Sequence, residues 1–247
     1  MSEELDVLIR RVDKKKAELG ARPPLSPEAE DSYQERFLYE SIYNSLAIEG
    51  NELSRSEVEH VLTKNQVVQG RSLSDHLSVV GCRDATLLAR RYANNNVRVT
   101  EYELRKLHYQ LLIDQQSSSG EYRTYNLMVR GHRPTSYEKI AYKMLQLVDR
   151  KSAKEDEHPI EAAAFFHLRL EKIHPFGDGN GRVGRIVANV MLEEAGYPAV
   201  IFPVAEKQRY YEALEAYDGL LGNPQVEPMQ LFFAELVERQ LDELLAL

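Results

Sequence analysis

His174-Pro175-Phe176-Gly177-Asp178-Gly179-Asn180-Gly181-Arg182-Val183-Gly184-Arg185 runs directly into Ile186-Val187-Ala188-Asn189-Val190-Met191-Leu192. A helix interior disfavours proline by about 3 kcal/mol and glycine by about 1 kcal/mol, so the Pro- and Gly-rich first part reads as a loop. The second part is apolar almost all round and reads as a buried helix. The loop therefore becomes a helix at Gly179-Asn180-Gly181. Backbone N–H groups at a helix start have no internal partner and carry partial positive charge. Glycines there let a phosphate approach the backbone, which makes the position an anion site. Arg182 and Arg185, three apart, share one face of the first turn. Cations in that place oppose the helix dipole, so the pair points to an anionic partner with several charges, such as a di- or triphosphate. Asp178 stands just ahead, where a single carboxylate beside phosphates would hold Mg²⁺. His174 opens the loop, and an imidazole with pKa near ~6.5 can take a proton from an attacking hydroxyl at neutral pH. Phe176 is the loop's apolar anchor.

Outward from this segment the chain reads as helix, because apolar residues recur at helical spacing and strict alternation is nearly absent. Leu5, Leu8, Ile9 and Val12 mark a short amphipathic helix ending at Gly20. Arg22-Pro23-Pro24 is a connector, and Ser26-Pro27 supplies an N-cap with proline at N1. The helix that follows carries Tyr33, Phe37, Ser41 and Ile42 and stops near Gly50-Asn51. Ser54 with Glu57, and Thr100 with Glu103, have capping-box spacing. Helical pattern also covers 73–92, 136–148, 159–173, 179–195, 207–221 and 225–244, while 115–120 is a polar loop. The one β candidate is 122–129 followed by Arg130-Gly131-His132-Arg133-Pro134, a short hairpin turning at Gly131. The expectation is one all-α unit with a small hairpin on its surface.

The 247 residues are 43% hydrophobic and 28% charged, which provides for a sizeable core and excludes disorder as the dominant state. The formal charge of -8 argues against holding nucleic acid or an anionic membrane by bulk charge. Cys82 is the only cysteine, so neither an intrachain disulfide nor a CxxC zinc site can form. No apolar run approaches the ~18 residues of a membrane helix. The acidic Met1-Ser2-Glu3-Glu4-Leu5-Asp6 is unlike a signal peptide, and a cytoplasmic location is expected.

Taken singly, Gly-Asn-Gly is usually a helix cap, a lone His is more often structural, and an Arg pair is usually a solvated face. Together they resemble the signature of the Fic (Fido) domain family, H-x-F-x-(D/E)-G-N-G-R-x-x-R, with every fixed position present. Members mostly transfer AMP from ATP to a Ser, Thr or Tyr hydroxyl of a protein. The resemblance implies a compact helical bundle with a small β-hairpin flap over the site. It implies His174 as general base and Asp178 as the Mg²⁺ ligand. Gly179, Asn180 and Gly181 would form the anion hole, with Arg182 and Arg185 on the ATP phosphates. It extends from about Ser45 to about Leu231. Residues 1–30 are expected as an N-terminal helix and connector, and 31–247 as the domain.

Three further segments resemble the same family. Ser45-Leu46-Ala47-Ile48-Glu49-Gly50-Asn51 resembles its inhibitory motif, (S/T)-x-x-x-E-(G/N). Glu49 there ends a helix, where the dipole disfavours an anion by a few tenths to ~1 kcal/mol. The resemblance implies Arg185 as its partner, with the pair standing where the ATP γ-phosphate should sit. Val129-Arg130-Gly131-His132 is similar to the flap turn, whose edge would pair with an extended target segment. Tyr210-Tyr211 resembles a segment that lines the adenine pocket, and Asp218 stands where some members have Asn. The expectation is a Mg²⁺- and ATP-dependent protein adenylyltransferase restrained by Glu49. Its partner would be a protein hydroxyl, its own included, with a homodimer also among the expectations and neither membrane nor nucleic acid. Rival readings are removal of AMP through Glu49 and a water, transfer of a phosphoryl or phosphocholine group, and a nucleotide-sensing module without turnover.

Overall fold

The computed structural model describes residues 2–113, 118–150, 157–219 and 223–247. The expected loop at 115–117 and the expected helix end at Leu221 lie outside them. The helices, in chain order, are α1 Glu3–Gly20, α2 Pro27–Ile48, α3 Arg55–Lys64, α4 Leu73–Asn94 and α5 Glu101–Leu111. They continue with α6 Ile140–Arg150, α7 Pro159–Ile173, α8 Asn180–Glu194, α9 Lys207–Asp218 and α10 Glu227–Leu245. Starts follow local chemistry: the hydroxyls of Ser2, Ser26, Ser54, Ser72 and Thr100 each accept a backbone N–H of the first turn. Ser54–Glu57 and Thr100–Glu103 form the two expected capping boxes. No helix among the described residues is long and apolar enough to cross a membrane.

Helix packs on helix around a single apolar core to which α1 contributes Leu5, Leu8, Ile9 and Val12. α8 lies inside, against α7, α4 and α5, while α10 packs on α1 and α7. Val183, Val187, Ala188, Val190 and Leu192 of α8 are almost wholly excluded from solvent, each larger side chain stabilising the fold by roughly 1.5–3 kcal/mol. α7 and α8 approach closely because residue 184 is glycine. A Cβ there would lie 2.6 Å from His167 Nδ1 and 3.4 Å from Leu170 Cδ2.

The expected hairpin is reduced to its turn. Val129 and His132 form an isolated antiparallel bridge, with Arg130 and Gly131 between them at φ 46° and 85°. No strand flanks it among the described residues, because the backbone of this segment pairs elsewhere. Arg123 N–H donates to Pro175 O, and Thr135 N–H to Lys172 O. The segment is laid along the α7–α8 loop rather than folded on itself.

Candidate active site

α7 ends at His174, whose φ of 50° places a non-glycine residue in the left-handed region while its N–H still bonds Leu170 O at 2.8 Å. Such backbone persists only where surroundings over-determine it. Buried Arg123 does so. Its Nε donates to His174 O at 2.8 Å, Nη1 to Tyr125 O at 2.6 Å, and Nη2 to Thr135 O and Ile173 O. Burial lowers the Arg123 pKa, and these carbonyls take up its donors. Sequence reading missed Arg123, because nothing in Glu121-Tyr122-Arg123 tells that the guanidinium turns inward.

The loop is closed by its own side chains. Asn180 Nδ2 donates to Phe176 O and Asn180 Oδ1 accepts Phe176 N–H, both at 3.0 Å. That side-chain amide is spent on the turn, so an anion at the start of α8 meets Asn180 through its backbone. Phe176 is fully buried and stacks on His108 with centroids 3.7 Å apart. His108 Nδ1 accepts Gly120 N–H at 2.8 Å, which leaves Nε2 to donate to Asp178 O at 3.0 Å. Burial pushes the His108 pKa down to about 4, keeping it in the neutral form that this bridge requires. The Asp178 carboxylate accepts Gly179 N–H at 2.6 Å and Arg182 Nη2 at 2.8 Å.

His174 itself is mostly buried. Burial first, then the Arg123 charge, pushes its pKa down to about 4, so the ring is a proton acceptor at neutral pH. Its Nδ1 is buried without a hydrogen-bond partner and faces Glu171 Oε2 at 3.7 Å. Glu171, also missed by sequence reading, is mostly buried on α7. Desolvation and then the Glu49 charge push it up to about 7.

Arg185 is 2% exposed. Its Nη2 donates to Glu49 Oε1 at 2.7 Å and to Ser45 O at 3.0 Å. Nε reaches Ser45 Oγ at 3.1 Å and Nη1 reaches Tyr210 Oη at 3.3 Å. Burial lowers the guanidinium pKa, but the Glu49 carboxylate and Tyr210 together outweigh this and the net shift is upward. α2 ends here, with Glu49 as its C-cap and Gly50 at φ 93°. The Glu49 carboxylate sits over the start of α8. A Cβ on residue 181 would lie 2.6 Å from Glu49 Oε1 and 3.0 Å from Arg185 Nη1, so the ion pair lies directly against the first turn.

The turn rests on α9. Arg130 lies 3.7 Å over the Tyr211 ring and donates to Tyr211 O at 3.3 Å, and His132 Nε2 is 3.2 Å from Asp218 Oδ2. Tyr211 in turn donates its hydroxyl to Ile48 O at 3.1 Å, joining the turn to the end of α2. Tyr210 departs from the expectation of a pocket wall. It is 1% exposed, packed among Phe202 and Phe232, with its hydroxyl between His167 Nε2 and Arg185 Nη1. Helical phase explains the split, since residues adjacent in a helix point about 100° apart and only Tyr211 faces the turn.

A polar cleft of about 220 Å³ opens between the end of α2 and the loop, lined by Glu49, Asp75, Ser78, Asp178 and Arg182 among others. No group of three or more metal-ligating side chains occurs among the described residues. Asp178 is 53% exposed on this cleft. Of the cleft's carboxylates Glu49 is paired with Arg185, and no three gather into a protein cage among the described residues, so the exposed Asp178 fits a hard cation whose other ligands are phosphate oxygens and water.

Residues 98–192 match the model of the Fic/DOC family. A protein adenylyltransferase Fic of Drosophila willistoni is 30% identical over 94% of this chain and 46% of its own length. The chain spans about half the length of the curated relatives it matches. A Fic domain containing signaling protein from Bacteroides thetaiotaomicron superposes with a TM-score of 0.86 at 26% identity, covering 96% of this chain and 95% of that one. Fic-1 from C. elegans does so with a TM-score of 0.82, also at 26% identity, covering 98% and 71%.

Proposed function

We propose that this chain, which belongs to the Fic/DOC family, transfers AMP from ATP to a hydroxyl of a protein and is restrained from doing so by Glu49. The observation that carries the reading is the Glu49–Arg185 ion pair over the start of α8, which fills an anion site with the protein's own carboxylate.

Relieved of Glu49, Arg185 is available to the γ-phosphate, and the backbone N–H groups of Asn180 and Gly181 would meet the phosphates at the positive end of α8, while that of Gly179 is bonded to Asp178. Arg182 supplies a second cation. Asp178, exposed beside the start of α8, would hold Mg²⁺, which when bound with the nucleotide would offset phosphate charge and fix its orientation. The turn at 129–132 lies beside His174 and is suited to hold an extended target segment. His174 takes the proton of the target hydroxyl as its oxygen bonds the α-phosphorus. The bond from that phosphorus to the bridging oxygen breaks, and pyrophosphate leaves. The pyrophosphate carries the developing charge, which Arg182 and Arg185 stabilise.

The test is incubation of Glu49→Gly protein with α-labelled ATP, Mg²⁺ and a cell extract, followed by mass spectrometry of labelled proteins. Label bound to protein as AMP is the expected result. Its absence from a folded protein that binds ATP would sink the reading and leave a nucleotide-sensing module in its place.

A further inference from the structure

Three groups hold the Arg185 guanidinium: the Glu49 carboxylate, the backbone and hydroxyl oxygens of Ser45, and the Tyr210 hydroxyl. The first two belong to α2 and its C-cap. Tyr210 belongs to α9 and is the one partner independent of the restraining helix. Its hydroxyl has a single proton. Arg185 has no acceptor, so that proton is directed to His167 Nε2, 2.8 Å away, and the oxygen's lone pairs are left for Arg185 Nη1.

We infer that Tyr210, oriented by His167, is a positioning residue that keeps Arg185 aimed at the γ-phosphate once Glu49 has withdrawn. The inference rests on the role proposed above for Arg185 and adds what holds that arginine in the active state. His167 suits the task. It is fully buried on α7, and burial, followed by the Arg185 charge, pushes its pKa down to about 3. The ring therefore stays neutral and keeps a lone pair for Tyr210 across the working pH range. Tyr210 is itself immobilised among Phe202, Phe232 and Phe233-backed His167. A guanidinium with one fixed donor has less freedom to lose when the phosphate arrives, which is how preorganised contacts raise affinity.

The experiment compares ATP and ADP, each with Mg²⁺, titrated by calorimetry into Glu49→Gly and Glu49→Gly/Tyr210→Phe proteins. Loss of the hydroxyl should weaken ATP by about tenfold, the value of a hydrogen bond to a charged group, and leave ADP within about twofold. His167→Leu in the same background should weaken ATP selectively. His167→Gln, whose side-chain oxygen reaches the place of Nε2, should restore it, and this pair serves if Tyr210→Phe does not fold. Tyr210→Phe with His167→Leu removes both polar partners, so it should melt near the Glu49→Gly protein yet still lack the preference for ATP. Equal weakening of ATP and ADP, or an ATP preference untouched by either substitution, would overturn the proposal. Binding is read without any transfer, so an absence of protein labelling would count against the proposed activity and not against this role. A Glu49→Gly protein with no preference for ATP over ADP would overturn the role of Arg185 and the inference together.

Discussion

Glu49 Oε1 lies 2.7 Å from Arg185 Nη2, although the two residues are 136 apart in the chain. The arginine is buried, while the glutamate side chain keeps 36% of its surface exposed. The glutamate is thus reachable from solvent and the arginine is not. A buried charge left without its partner costs several kcal/mol, so whatever displaces Glu49 must bring negative charge of its own. A triphosphate does.

Glu49→Gly should raise AMP labelling by at least about tenfold, since a misplacement of ~1 Å can already cost about 10² in rate. Arg185→Ala should not activate, and the double substitution should behave like Arg185→Ala alone, as residues acting as one unit do. Labelling of the four proteins under one ATP concentration checks this. Activation by Arg185→Ala would contradict it.

His174→Ala in the Glu49→Gly background should lower transfer by about 10²–10⁴ while ATP affinity stays within a few-fold. Calorimetry and single-turnover labelling together read the two quantities. Near-parental labelling would remove His174 from the chemistry.

Asp178→Ala should abolish Mg²⁺-dependent labelling, and nucleotide-free protein should bind Mg²⁺ only weakly because the carboxylates lining the cleft do not gather into a three-ligand site among the described residues. Tight Mg²⁺ binding in the absence of nucleotide is the result that would refute this.

Arg123→Met should destabilise the fold by about 3 kcal/mol or more, since it strands the carbonyls of Tyr125, Thr135, Ile173 and His174 that one buried guanidinium now serves. Urea unfolding measures the loss. A change under about 1 kcal/mol would show that water replaces the donor.

Stability should depend on pH from both sides. His108, His167 and His174 have pKa values pushed by burial to about 4, 3 and 4, below the ~6.5 of an unfolded chain. Their contribution is complete above pH ~6.5 and is lost as pH falls toward those values, because the unfolded chain binds more protons. Glu171 works oppositely. Raised by burial and Glu49 to about 7, it favours the fold below pH ~4.5 and ceases to as pH rises through 7. Glu171→Gln should therefore raise the melting temperature at pH 8 more than at pH 5, and equal shifts at both would be inconsistent with this.

Much of this protein was legible in local order. Helix starts are set by a hydroxyl and the next turn's N–H, so Ser26, Ser54 and Thr100 announced themselves. The loop at 174–185 was legible because Pro, Gly and Asn constrain backbone within a few residues, and the structure brings Asp178 and Arg182 to one cleft beside Glu49. Glu49 was singled out by the resemblance of Ser45–Asn51 to the family's inhibitory motif, and the structure pairs it with Arg185.

The hairpin was not, because a strand needs a partner and that choice lay with Arg123 and the carbonyls at 173–175. Neither was the division of labour between Tyr210 and Tyr211, which depends on what α9 packs against. Glu171 and His167 gave no signal either, since a titratable side chain on an apolar helix face becomes informative only when its neighbours are known. What the amino-acid order determined by itself is the set of short-range backbone choices, helix, cap and glycine-rich turn, whose energies arise within four residues. What only the tertiary structure decided is which buried charges meet, as Arg185 meets Glu49 and Tyr210. Those contacts join segments up to 136 residues apart, and they acquire their strength from the water that packing excludes.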